Sequence, residues 1–110
     1  MTTTELAEGC GFKALTPNSP KKIEGAFAGD LLSWAMSRVC ENNVWFTVMG
    51  NINSVAVASL SDCACIVLCH GAALAEDAKV RAEREGIVIL STELPEYEAI
   101  TEFNRALNQS

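Results

Sequence analysis

The chain has 110 residues, 49% of them hydrophobic and 20% charged, with a net charge of −6 at neutral pH. That length allows one domain with a real core and not two, and that apolar content excludes a disordered chain. The acidic balance repels phosphate backbones and anionic lipid, which excludes nucleic acid and membrane surfaces as partners; Lys21-Lys22 is too short to reverse it, and no apolar run is long enough to span a bilayer.

From the N-terminus, Thr4–Gly9 has the pattern of a short helix, capped by Thr3 or Thr4 and stopped by Gly9. Phe12–Leu15 is a candidate first strand. Thr16–Lys22, with Pro17, Asn18, Ser19 and Pro20, is a loop, and Ile23–Phe27 is a short strand. Gly29-Asp30 opens a helix with Asp30 as its N-cap; Leu31, Leu32, Ala35, Met36 and Val39 form its inward stripe. Glu41-Asn42-Asn43 ends it. Val44–Met49, β-branched and aromatic, is a strand.

Asn51–Leu60 fits a strand or a helix. The helix, with Ile52, Val55, Ala56 and Ser59 or Leu60 inward, is preferred, because a strand here makes a hairpin at Gly50-Asn51 and breaks the alternation around it. Ala64–Cys69 is apolar on both faces, as a covered central strand must be. Glu76–Glu85 is a helix with acids in its first turn and Gly86 as its stop. Ile87–Leu90 is another buried strand. Pro95 starts a last helix with Tyr97, Ile100, Phe103, Asn104 and Leu107 along one face, and Glu93, Glu96, Glu98 and Glu102 on a solvated one. Trp34 and Trp45 are expected to be half-buried. Trp34 lies off the stripe of its helix and is the side chain best placed to anchor an interface.

Three times, an apolar strand runs through a Gly- or Asn-bearing turn into a helix. That order predicts an α/β fold, a three-layer sandwich with a mostly parallel central sheet of about four to six strands. The N-terminus lacks the basic segment and apolar run of a secretory signal. Five cysteines, an odd count, then predict reduced thiols and a cytoplasmic location.

From Gly25 to about Phe103 the chain resembles the DRTGG domain family. The resemblance rests on Gly29-Asp30-Leu31-Leu32-Ser33, on Trp45-Phe46-Thr47-Val48, on Asn53–Ala58, on the strand Cys65–Leu68, and on Ala82–Thr92. It implies the fold of the N-terminal domains of HPr kinase/phosphorylase and of Mur ligases, and regulatory or dimer-forming roles. Family members also occur fused to phosphotransacetylase and between CBS domains. The family's Gly-Asp-Arg turn is here Gly50-Asn51-Ile52, and its Thr-Gly-Gly turn is Cys69-His70-Gly71. The charged groups of the motif are therefore missing, while the backbone logic of its turns is kept.

The candidate ligand site is the cluster of turns at the carboxyl ends of the parallel strands: Gly29, Asp30, Gly50, Asn51, Asn53, Ser54, His70, Gly71, Ser91 and Thr92. Helix N-termini there present unpaired N–H groups, which suit an anion or a nucleotide phosphate. The same residue types also cap helices and turn chains with no ligand at all. Cys63, Cys65, Cys69 and His70 invite a zinc or iron–sulfur reading. In an extended strand, however, the three cysteines would share a face and be strung along it, with Cys65 and Cys69 about 13 Å apart; buried filler is the better reading, and no metal or cofactor is expected. His70, the one histidine, is a possible general base or phosphoryl acceptor but has no identifiable partner in the sequence. There is no Gly-x-x-x-x-Gly-Lys-Ser/Thr, so the chain is not a kinase by itself.

These features point to a non-enzymatic regulatory or ligand-sensing module, a homodimer that binds a nucleotide or other phosphorylated metabolite at the carboxyl-end turns. A well-filled turn cluster and an apolar face would favour a dimerisation or scaffold subunit with no small ligand. A deep pocket joining His70 to Asp30 or Asn51 would favour a small enzyme.

Overall fold

A computed structural model describes residues 1–109. In chain order the elements are α1 (Thr3–Cys10), β1 (Lys13–Ala14), β2 (Gly25–Ala28), α2 (Leu32–Arg38), β3 (Asn43–Thr47), α3 (Ile52–Ser61), β4 (Cys65–Leu68), α4 (Glu76–Glu85), β5 (Ile89–Ser91) and α5 (Glu96–Asn108). The strands form one sheet in the order β1-β5-β4-β3-β2. β2, β3, β4 and β5 run parallel, and β1 is antiparallel to β5.

Strand–helix–strand connections are right-handed. Because β2 to β5 step across the sheet in one direction, α2, α3 and α4 all land on one face. There Ala35, Val55, Ala58, Ala78 and Ala82 join Trp45, Ile66, Leu68 and Ile89. The other face is covered by α1 and α5, whose Leu6, Ala99 and Phe103 join Val44, Phe46, Val67 and Leu90. The rings of Phe46 and Phe103 meet at 5.7 Å between centroids. The expected three layers are thus present, helices on sheet on helices.

Local chemistry sets the element ends. Thr2 and Glu5 form a capping box at α1. The Asn51 carboxamide accepts from the Ser54 N–H and caps α3, settling the helix-or-strand ambiguity there. Gly86 closes α4 in the left-handed conformation at φ 70°.

Several inward faces differ from expectation. α2 is the outermost helix over the sheet's edge. Only Ala35 and Val39 of its expected stripe are buried, while Leu31 and Met36 stand 57% and 63% exposed. α3 lies between α2 and α4 and buries a wider arc, Ser54, Val55, Val57 and Ala58, with Leu60 turned out at 86% exposure. α5 packs on α1 as well as on the sheet. Its buried side chains are therefore Ala99, Phe103 and Ala106, and Tyr97 is exposed. Trp45 is wholly buried, its indole N–H donating to the Gly29 carbonyl at 3.0 Å, whereas Trp34 is 55% exposed. Cys63 precedes β4 and joins the α2–α4 face, while Cys65 and Cys69 join the other, so the three thiols do not share a face.

Candidate functional site

Parallel strands put the turns after β2, β3, β4 and β5 on one rim, and with them the predicted residues. Asp30 does not cap α2; the N-cap of that helix is Leu31, with no side-chain cap. The Asp30 carboxylate instead reaches across to the next strand end, accepting from the Thr47 hydroxyl at 2.8 Å and the Val48 N–H at 2.9 Å. Asn51 is occupied as the α3 cap, with the Ser54 hydroxyl beside it at 3.4 Å. Asn53 is exposed on the first turn of α3. Gly50 lies under the loop after β4: its carbonyl accepts from the Ala75 N–H, and its Cα faces the Ala73 carbonyl. His70 and Gly71 both take left-handed backbone, at φ 59° and 64°.

In a doubly wound sheet a crevice opens where neighbouring strands send their helices to opposite faces. Here that place lies between β4, which leads to α4, and β5, which leads to α5. It is closed by the chain itself. The segment from Thr92 to Leu94 turns over the end of β4, where His70 N–H donates to the Leu94 carbonyl at 2.8 Å and Gly71 N–H to the Thr92 carbonyl at 2.9 Å. The Glu93 carboxylate lies against Gly71, in the space a Cβ there would take. Among the described residues no hydrogen bond joins the His70 side chain to Asp30 or Asn51.

The same segment delivers Glu96, which composition alone placed on a solvated face, to Asp30. Burial and a hydrogen bond with the Asp30 carboxylate push Glu96 up to about 7. Burial works against the charge on Asp30 too, but the Val48 N–H, the Thr47 hydroxyl, the Glu96 proton and nearby His70 together hold it below the ordinary aspartate value. Glu96 is thus the acid that holds a proton and Asp30 the one that holds the charge, which sets the start of α5 against the turn after β2. In the unfolded chain Glu96 loses its proton near the ordinary value of about 4.3; folded, it keeps the proton to about 7. The fold then binds more protons between these values, so stability falls as pH rises from about 4.5 to 7 and levels above. Glu96→Gln, which can still donate to Asp30, is expected to flatten that decline in urea titrations at pH 5 and pH 8. An unchanged pH dependence would show that Glu96 holds no such proton.

The buried thiols are unreactive. Burial drives Cys63 up to about 11 and Cys69 up to about 12, and Cys65 higher still. Among the described residues no three His, Cys, Asp or Glu side chains are grouped to hold a metal ion. No described helix is long and apolar enough to cross a membrane. A concavity lies at the β5 end of the rim, a cavity of about 320 Å³ lined by Leu15, Ala72, Leu74, Glu76, Lys79 and Ser91 among others.

No protein-family model and no curated protein matches the sequence. Among solved structures, the chain is similar to the CBS and DRTGG domains of the regulatory region of a Clostridium perfringens pyrophosphatase, crystallised with its activator, diadenosine tetraphosphate. The TM-score is 0.72 at 9% identity. The two share a fold. The match takes in 94% of this chain and 46% of that one, so this chain spans about half of the regulatory region.

Outside the rim, Tyr97, Val80 and Leu107 stand exposed on α4 and α5, and further uncovered apolar side chains lie on α2 and α3. Leu31, Trp34 and Met36 stand out from α2, and Met36 shares a shallow groove with Val39, Val57, Leu60 and Ser61 of the α2–α3 pair. Sequence periodicity counted Leu31 and Met36 into the core. The usable signal was the absence of charge: from Gly25 to Ser37 the one charged residue is Asp30, and its carboxylate is turned inward.

Proposed function

We infer that this chain is a non-enzymatic, DRTGG-like regulatory module that works through contact with a second copy of itself. The observation that carries this reading is the large apolar surface left in water around α2, with Met36 and Leu60 at its groove with α3 and Trp34 on its far side. Soluble chains rarely leave such a patch uncovered, and where they do it marks an interaction site. The regulatory setting of the similar fold agrees with this reading. Sedimentation velocity tests it. The protein is expected to sediment as a dimer, and Trp34→Glu to weaken self-association about thirtyfold, the cost of losing a ~2 kcal/mol anchor. A monomer at every concentration up to millimolar would overturn the reading.

A second reading adds a ligand. The cavity at Ser91 is lined by Lys79 and a hydroxyl, groups that suit a phosphoryl oxygen, together with Glu76 in the first turn of α4. A nucleotide or other phosphorylated metabolite fits this end of the rim better than the acidic end at Asp30, Glu93 and Glu96. Calorimetry with mono- and dinucleotides is expected to show binding that Lys79→Ala weakens about tenfold, one charge-assisted hydrogen bond being worth ~1.5 kcal/mol or more. No heat with any of them at millimolar concentration would remove the ligand and leave the self-association.

A further inference from the structure

We propose that a second copy of this chain adds to the free edge of β2, so that the two sheets join antiparallel across a two-fold axis at Phe27. The proposal rests on the self-association reading and names its surface. β2 is the last strand of the sheet, with β3 as its one neighbour. Edge strands are normally blunted by charge, proline or a bulge. The opposite edge is, with Lys13 exposed on a two-residue β1 and Pro17 shortly after. Within β2 none of these devices occurs: Gly25-Ala26-Phe27-Ala28 is uncharged and free of proline, and the nearest charges, Lys22 and Glu24 just before it, are paired with each other. The N-terminal residues pair with Lys21 to Ile23 and stop short of Gly25.

The register says which backbone groups are open. Ala28 lies opposite Phe46, and the Phe46 carbonyl accepts from the Gly29 N–H at 3.1 Å. Alternation along a parallel ladder then turns the N–H and C=O groups of Gly25 and Phe27 toward β3 and those of Ala26 and Ala28 outward. These two residues suit a copy of themselves. Antiparallel pairing of Ala26 with Ala28 of the second copy, and the reverse, satisfies all four outward groups. It also sets the two Phe27 rings, which lie on the α2 side of the sheet, opposite each other.

The flank agrees. Met36 faces α3, where it lines a groove with Val57 and Leu60. Trp34, two residues earlier, points about 200° away around the helix, toward the open edge. Arg38, the one charge on α2, lies over its ring at 4.2 Å. An uncharged edge flanked by a tryptophan with a stacked arginine has the composition of an interface centre.

Disulfide trapping tests this in a Cys10→Ser, Cys40→Ser background. Ala26→Cys protein mixed with Ala28→Cys protein is expected to cross-link rapidly under mild oxidation, because hydrogen-bonded antiparallel pairs hold Cα atoms about 5.5 Å apart, within disulfide reach. Either variant alone, with its thiols on the diagonal, is expected to cross-link at least tenfold more slowly. Ala26→Pro, which removes an outward N–H, is expected to weaken the dimer with the circular dichroism unchanged. Dimers that sediment normally but fail to cross-link in the mixture overturn the β2 pairing and leave self-association standing; a monomer overturns both.

Discussion

Gly50→Ala is expected to destabilise the fold by ~3 kcal/mol, at the upper end of the range for inserting one methyl group into packed structure. The cause is a backbone approach. A Cβ at Gly50 would overlap the carbonyl oxygen of Ala73 and come within 3.0 Å of its carbonyl carbon and 3.2 Å of the Leu74 Cα. No flexible side chain can move aside, and the Ala75 N–H bond to the Gly50 carbonyl at 2.8 Å holds the two segments together. Gly50 does not need left-handed backbone, so alanine would otherwise stabilise by ~0.4–1 kcal/mol through the unfolded chain. Gly11 and Gly86 make the control. Both are left-handed, with open space where a Cβ would go, and alanine there is expected to cost only ~1 kcal/mol. Urea denaturation separates the cases, with the Gly50→Ala midpoint falling by about 1–2 M. A shift no larger than that of Gly86→Ala would mean that the turn after β3 and the loop after β4 are not locked together.

Gly50 shows where sequence reading stops. A glycine between an apolar strand and Asn51 is legible as a turn, because turn and cap chemistry is local. Its contact with Ala73, more than twenty residues on, is not. The same division runs through the molecule. The strand–turn–helix alternation was enough to predict a mostly parallel sheet and the three layers, since each unit is set by nearby residues and by the handedness of crossovers. Periodicity misplaces burial on α2 because it reports an apolar stripe and not what covers it; at the edge of the sheet nothing covers Leu31 and Met36. Turn chemistry offers the rim as a ligand site built from caps and glycines, and Asn51 is engaged as the cap of α3. The closing segment at Thr92–Leu94 and the pairing of Glu96 with Asp30 join residues far apart in the chain through a helix that changes face. No local pattern announces such a contact, and Glu96 looked like any solvated glutamate.

Thr16→Val is expected to cost a further ~3 kcal/mol, although it changes neither size nor shape. Thr16 lies in a segment that composition reads as loop, yet it is buried at 4% exposure. The ladder between β1 and β5 ends with the Leu15 N–H on the Ile89 carbonyl at 2.8 Å. Pro17 has no N–H to continue it. The Thr16 hydroxyl takes the ladder's place, donating to the Ile87 carbonyl at 2.8 Å and accepting from the Ile89 N–H at 2.9 Å. Valine leaves both backbone groups buried and unpaired, at ~1–3 kcal/mol each, whereas Thr16→Ser keeps both bonds and loses a methyl for ~1 kcal/mol. Hydrogen exchange gives the local readout, with the Ile89 amide exchanging faster in Thr16→Val and unchanged in Thr16→Ser. The consequence reaches the rim. β5 is held on one side by β4 and on the other by this strap, and the segment that closes the crevice leaves directly from Ser91. If valine costs no more than serine, the hydroxyl is not what holds β5 in place, and the closure must rest on the three backbone bonds that join Thr92 and Leu94 to Leu68, His70 and Gly71.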